Sequence, residues 1–295
     1  MHHNRRPTNS AALRRAMIAN AVFSLLTGGF MLAVPGRVAA LLGPPIGTII
    51  VVIGATVAAY AIALVMAAAV VRTPDRIGMA AVAVDLGWVF ATVFVLAVWG
   101  RELNRVGAWV LVGVATVVAL FAFLEARGTD RIYRDSRKPG WYYYEVSGVV
   151  PVRPDAIWEA VSDLGAIHRY SPGLTASRVI TDGESGGGTV VRECVGTSGA
   201  VWQEECTLVK PDRALNVHFR SEDPAFPFPF TTMDGGWRVA PGDGGSKVTT
   251  WFAFIPKNRA LAFLIVPLVA KQFAKGFPAI LDNMTTDARA TEAAH

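Results

Sequence analysis

The chain holds only two cysteines, Cys194 and Cys206, and five histidines. Two cysteines supply no disulfide framework and no metal spacing, so both are expected as reduced thiols. No histidine is spaced with carboxylates as a metal site, or with serine as a nucleophile pair. The run Gly186-Gly-Gly188 falls in a hairpin turn rather than before a helix, which argues against a phosphate cradle. No metal and no cofactor is expected. Charge is scarcer still. Only 17% of the residues are Asp, Glu, Lys or Arg, and the 34 residues from Val38 to Val71 contain none.

That uncharged run organises the reading. A bilayer core takes about 20 apolar residues in a helix. Ile46–Val71 exceeds this length and is apolar on every side. Three further runs of the same kind are expected as spans, about Ala16–Val34, Ile77–Trp99 and Val106–Leu124. A signal peptide also begins with basic residues and an apolar run, but no small-x-small cleavage site follows the first run and more spans do. Pro35–Pro45 breaks the helix at both ends and is expected at the interface. Arg72–Arg76 and Gly100–Arg105 are short turns, and short turns make antiparallel neighbours. A compact four-helix bundle is the economical arrangement.

The charge is divided between two unlike halves. Met1–Gly140 carries 14 Lys and Arg against 6 Asp and Glu, net +8, whereas Trp141–His295 carries 14 against 17, net −3. The positive residues of the first half sit at helix ends, a pattern of membrane orientation and anionic lipid rather than a nucleic-acid footprint. Arg5, Arg6, Arg14, Arg15, Arg72, Arg76, Arg127, Arg131, Arg134, Arg137 and Lys138 fall on one side, and Arg37, Arg101 and Arg105 on the other. This bias predicts a multi-pass protein of the cell membrane with both termini and the soluble domain in the cytoplasm.

Asp85 stands out as the ionisable residue well inside a predicted span. A carboxylate there faces the bundle interior, paired or protonated. One reading is a proton or ligand site between helices. The other is a carboxyl satisfied by Asn20, Tyr60 or a backbone group that locks helix packing. Gly54, Ala58 and Gly113 suit close helix approach.

After Arg137-Lys-Pro-Gly140 the periodicity changes. Trp141–Val150 reads as a strand. Pro154 opens a short helix with Asp155 in its first turn, and Ile157, Trp158 and Val161 face one way. A second short helix, about Leu164–Tyr170, ends at Ser171-Pro-Gly173. Six strand candidates follow: Leu174–Thr181, Gly188–Val195, Ala200–Lys210, Ala214–Ser221, Phe230–Val239 and Ser246–Ile255. Turns at 182–188 and 241–245 mark hairpins. Lys257–Ala290 reads as a long helix interrupted at Pro267 and Pro278. A curved antiparallel sheet wrapped on one long helix buries one apolar face of each.

The soluble half resembles the START-like, Bet v 1-type (SRPBCC) superfamily, and within it the polyketide cyclase/dehydrase-like group. The stretches that carry the likeness are VSGVVPVRPDAIWEAVSDLGAIHRYSPG, GGTVVRECVG, WQEECTLVKPDRAL and GGWRVAPGDGGSKVTTWFAF, within about Tyr142–Thr286. The resemblance implies a helix-grip fold and a cavity for apolar molecules between sheet and long helix. The first half resembles small bacterial four-span membrane proteins, best at Asp85-Leu-Gly-Trp88. The expected class is therefore an α+β membrane protein. Residues 1–13 form a disordered N-terminus, 14–126 the transmembrane bundle, 127–140 a linker, and 141–291 the helix-grip domain, a seven-stranded curved antiparallel sheet around a long C-terminal helix.

Candidate ligand contacts follow from strand parity. If the hairpin turns at Gly196-Thr-Ser-Gly199, Arg192 falls opposite Glu204 and Cys194 opposite Trp202. An inward face made of these residues puts an Arg–Glu pair inside an apolar cavity, where it anchors a ligand head group or polarises a carbonyl; with the opposite parity both are surface residues. Cys194 and Cys206 then stand about four strand positions apart, too far for a disulfide. Phe219, Trp237 and Phe252 share the inner face with Leu215, Val217, Val239, Thr250 and Phe254. Tyr170 and His168 sit near the expected cavity mouth, and His218 on the polar face of its strand. No catalytic residue is named. The loop Glu222–Phe230 exposes aromatics unless something covers them, and it and Ala260–Ala270 either dock on the bilayer or gate the cavity. Three functions fit. The first is a membrane-anchored binder of a hydrophobic small molecule or lipid, without catalysis. The second is a cyclase/dehydratase-like enzyme, and the third a structural or regulatory membrane protein whose soluble half binds another protein.

Overall fold

The protein is described by a computed structural model over residues 10–43, 45–71, 75–181, 189–209 and 213–294, with side chains to 289. Residues 1–9 of the expected disordered terminus, residues 72–74 of the second turn, the glycine-rich turn 182–188 and the strand end at Lys210 lie outside the described residues. Two compact units meet in sequence between Ile132 and Tyr133.

The first unit is helical: α1 (Ser10–Ala33), α2 (Pro35–Leu42), α3 (Gly47–Val70), α4 (Asp75–Trp99) and α5 (Arg105–Ile132). α1, α3, α4 and α5 are each long and apolar enough to cross a membrane. Pro35 occupies the first turn of α2 and Gly43, at φ 110°, ends it in a conformation that disfavours side chains. The Arg14 guanidinium donates to the carbonyls of Ala68 and Val71 and so satisfies orphan groups at the end of α3. Leu13, Met17 and Ala21 pack against Ala61, Leu64, Ala67 and Ala68. The outward side is apolar as well, with Leu26, Phe90 and Trp109 all about two-thirds exposed. In water that surface would be a liability, whereas hydrocarbon accepts it.

Gly54 lies at a close helix crossing, as its size suggests. A Cβ on Gly28 would stand 2.7 Å from the Gly54 carbonyl and 3.0 Å from the Ala58 amide nitrogen. Gly113 does not take part, because nothing lies within 4 Å of its Cβ position. Two boundaries also differ from expectation. Residues 10–13 belong to α1 rather than to a disordered terminus, and α5 continues through 127–132, where a linker was expected. Both extensions bury apolar or polar groups in the unit: Leu13 in α1, Thr129 and Asp130 in α5.

The second unit comprises β1 (Tyr142–Val150), α6 (Pro154–Ser162), a 3-10 turn (Leu164–Ala166), α7 (Ile167–Tyr170), β2 (Leu174–Thr181), β3 (Thr189–Gly196), β4 (Val201–Val209), β5 (Ala214–Phe219), β6 (Phe230–Gly242), β7 (Gly245–Pro256) and α8 (Ala262–Ala294). The seven strands form one antiparallel sheet in the order β1-β7-β6-β5-β4-β3-β2. The fold is thus α+β, a curved seven-stranded sheet with a C-terminal helix.

Hairpin chemistry sets the register. Gly199 adopts φ 81°, and Gly196 and Ala200 are joined by a 2.8 Å backbone bond, so β3 turns into β4 at Gly196–Gly199. Asp243-Gly244 joins β6 to β7 with Gly244 at φ 79°, a left-handed backbone that glycine adopts without side-chain strain.

α8 starts at Ala262, five residues later than expected. Asn258 Oδ1 accepts from the amides of Ala260 and Leu261 and caps the approach. It then runs unbroken past Pro267 and Pro278, where interruptions were expected. Each proline removes one helical hydrogen bond. The buried stripe Val266, Ala270, Phe277, Leu281 and Met284 holds the helix across both positions. α8 also has the length and composition of a span.

Candidate functional site

Strand parity puts Arg192 and Glu204 inside the grip. They are directly opposed on β3 and β4, as are Cys194 and Trp202. Arg192 is 2% exposed and Glu204 4%. Arg192 Nε and Nη2 both donate to Glu204 Oε2, at 2.7 and 2.6 Å, and Trp202 Nε1 donates to Glu204 Oε1 at 2.7 Å. Both carboxylate oxygens are engaged. Burial works against the Arg192 cation, but the Glu204 carboxylate more than offsets this and holds the guanidinium pKa above its ordinary value.

Two buried donors near this pair are left over. Arg192 Nη1 and the Tyr170 hydroxyl have no hydrogen-bond partner. Tyr170 sits not at a mouth but wholly inside, 0% exposed, because α7 turns its last side chain inward against Trp237, edge-to-face at 6.2 Å. Burial pushes its hydroxyl pKa up, and the Arg192 cation pulls the other way. The hydroxyl therefore stays protonated at neutral pH. Trp237 stacks on Phe277 of α8, and Phe252 on Phe273 at 4.0 Å. Phe219 meets Phe226 and Phe228, and Phe228 meets Trp202 at 5.3 Å. The loop Glu222–Phe230 accordingly folds its phenylalanines over this end of the sheet, with Phe226 and Phe230 buried, instead of exposing them.

The inner-face candidates Leu215, Val217, Phe219, Trp237, Val239, Thr250 and Phe254 are buried, and Trp202 and Phe252 half-buried. Asp85 belongs to the helical unit and accepts from Asn20 and Tyr60 there. His168 Nδ1 is bound to Ser177 Oγ at 2.8 Å, and His218 pairs with Asp234 on the outer sheet face. A hollow of about 290 Å³ on that outer face is lined by Glu205, Thr207, Asn216 and Trp251 among others.

Cys194 and Cys206 flank the pair, buried and free. Burial pushes both thiols up to about 12. A thiol whose folded pKa lies above its unfolded value of about 8.5 stabilises the fold below that value and loses the contribution as pH rises toward 12. Native protein at neutral pH is therefore expected to resist thiol-directed disulfide reagents and to react fully once denatured. It is also expected to lose stability between about pH 9 and 12. Rapid native modification of either cysteine would contradict this burial.

Chemically, the described inner residues offer the Arg192 cation, the unpartnered Tyr170 hydroxyl and many aromatic faces, with no unpaired carboxylate among them. That set fits a largely apolar molecule with one polar, hydrogen-bond-accepting end.

Residues 144–289 match the family model described as polyketide cyclase / dehydrase and lipid transport. Among curated proteins none matches the chain. Similar solved structures include TTHA0849 from Thermus thermophilus, with 16% identity and TM-score 0.41, covering 50% of this chain and 98% of that one. Another is the Zhui aromatase/cyclase from Streptomyces sp. R1128, with 16% identity and TM-score 0.40 over 50% of this chain and 94% of that one. A third is Ara h 8.0201, with 18% identity and TM-score 0.39 over 50% and 99%. The family match lies wholly within the second unit, from β1 to α8.

Proposed function

We propose that the protein is a membrane-anchored binder of a hydrophobic small molecule or lipid, held in the second unit with its polar end at Arg192 and Tyr170. The observation that carries this reading is the pair of orphaned buried donors, Arg192 Nη1 and the Tyr170 hydroxyl, in an otherwise aromatic interior. A buried donor without an acceptor costs about 1–3 kcal/mol, and a ligand carbonyl, hydroxyl or carboxylate placed there recovers it. The family description, which includes lipid transport, is in keeping with such a ligand.

The first unit supports the anchor. Its long helices are apolar outside as well as inside, and arginines mark their ends in the pattern of cytoplasmic termini. At the start of α8 and in the segment before it, Leu261, Leu264 and Leu268 are exposed, and Lys257, Arg259, Lys271 and Lys275 are exposed around them. Apolar side chains ringed by cations suit the surface of an anionic bilayer. Capture from such a surface spares an apolar ligand a passage through water.

Full-length protein purified in detergent is expected to carry an apolar ligand detectable by native mass spectrometry. Tyr170→Phe removes a hydroxyl with no protein partner, so stability should hold or rise by about 1 kcal/mol while retention of the ligand falls about 10-fold. Unchanged retention in this variant would remove Tyr170 from the site, and ligand-free protein from every membrane source would sink the reading. A cyclase-like activity is the second reading. The buried, protonated Tyr170 hydroxyl beside a guanidinium is an arrangement that polarises a carbonyl. It requires a base, and Glu204 has both oxygens already engaged.

A further inference from the structure

Four helices of the first unit bring polar side chains to one buried level. Asn20 on α1 donates from Nδ2 to Asp85 Oδ2 on α4 at 2.8 Å, and to Glu125 Oε1 on α5 at 3.0 Å. Tyr60 on α3 donates to Asp85 Oδ1 at 3.0 Å, and Ser24 to Asn20 Oδ1 at 3.1 Å. Asp85 is 3% exposed and Glu125 0%. Asp85 is therefore satisfied on both oxygens by neutral donors. Glu125 is not: its Oε2 is buried and has no partner.

The charged groups elsewhere on these elements do not neutralise the pair. On α1, Arg14 is bound to the Ala68 and Val71 carbonyls, and Arg15 is exposed. Arg37 of α2 is exposed. Asp75 and Arg76 begin α4, and Arg105 begins α5. Arg127 lies over the Phe123 ring, and Asp130 and Arg131 are in the last turn of α5. No described hydrogen bond or ion pair takes a Lys, Arg or His to either carboxyl. Two buried carboxylates bridged by one amide, with no cation, cannot both be ionised without a large cost.

We propose that Glu125, Asp85 and Asn20 form an intramembrane proton-binding site, in which Glu125 takes up and releases one proton at Oε2. The proposal rests on reading α1–α5 as a bundle in lipid. A proton suits the site better than a metal ion for a geometric reason. A hard cation needs several oxygens, and the two carboxyls leave only Oε2 unengaged. Thr129 Oγ1, one turn further on α5, is also buried without a partner and is the nearest acceptor in sequence for that proton. Ionising Glu125 sets two anions against one amide, so proton release loosens the link from α1 to α4 and α5.

The test uses full-length protein in lipid nanodiscs and infrared difference spectroscopy between about pH 6 and pH 10, where ordinary surface carboxylates stay ionised throughout. The expected result is a protonated-carboxyl stretching band that disappears at high pH. It should be present in wild type and Asp85→Asn, and absent in Glu125→Gln, which keeps an acceptor for Asn20 and mimics the protonated acid. The melting midpoint should fall on alkalinisation in wild type by several degrees more than in Glu125→Gln. A band unaffected by Glu125→Gln, or no band at any pH, overturns the proposal. So does stabilisation by sodium or potassium at fixed ionic strength, which would make the ligand a metal ion. Alkaline carbonate extraction of cell membranes is read separately. Release of the protein by carbonate would defeat the bundle reading whatever the spectra show.

Discussion

Glu204→Ala is expected to cost the second unit about 3–5 kcal/mol, because it leaves the Arg192 charge buried without its counter-ion. Trp202 Nε1 loses its acceptor in the same change. For a unit of this size the loss corresponds to a fall of roughly 6–20 °C in melting midpoint, read from tryptophan fluorescence of the purified full-length protein. The double change Arg192→Met with Glu204→Leu should recover most of it, to within about 1 kcal/mol of wild type, since well-packed apolar residues replace buried ion pairs at little cost. The surroundings are suited to that replacement, with Cys194, Cys206 and Phe219 all buried. The double variant should nevertheless lose the ligand, since the guanidinium is gone. A stable, ligand-free double variant would assign the pair to recognition rather than to folding. If Glu204→Ala alone costs less than about 1 kcal/mol, water reaches the pair and the proposed interior site fails.

How much of this was readable beforehand depends on whether the deciding force is local. The register of β3 against β4 depends on one turn, and Gly196–Gly199 names that turn, so the facing of Arg192 and Glu204 followed from counting. Strand parity then decides inside from outside for the whole hairpin. Glu125 was harder to see. Its neighbours Arg127, Asp130 and Arg131 make the end of α5 look like a solvated linker. Yet Val118, Ala122, Glu125 and Thr129 recur at steps of four, three and four, and all are buried. That stripe is the available signal, masked by the charged residues interleaved with it. The prolines of α8 misled in the opposite sense. Local propensity predicts interruptions, whereas packing along Val266, Ala270, Phe277 and Leu281 overrides two lost hydrogen bonds. The closure of Phe226 and Phe228 over the sheet depends on long-range packing of a loop, which no periodicity encodes.

Gly28 and Gly29, adjacent on α1, are expected to respond to the same substitution with opposite signs. A methyl group on Gly28 meets the Gly54 carbonyl oxygen at 2.7 Å and the Ala58 backbone at 3.0 Å. Neither is the end of a flexible side chain, so α1 and α3 must move apart. Overpacking of this kind costs about 1–3 kcal/mol, and in a bundle joined by close backbone approach the separation also weakens neighbouring contacts. Gly28→Leu should go further and prevent assembly of the helical unit. At Gly29 nothing lies within 4 Å, so Gly29→Ala meets open space. There the change should be neutral or stabilising by up to about 1 kcal/mol, because alanine gives up less backbone freedom on helix formation. Thermal unfolding of the two alanine variants in one detergent gives the comparison. The midpoint should fall for Gly28→Ala and hold or rise for Gly29→Ala. Equal midpoints would mean that α1 and α3 do not approach at Gly28 and Gly54. The level of Asn20, two turns away on the same helix, would then lose its geometric support as well.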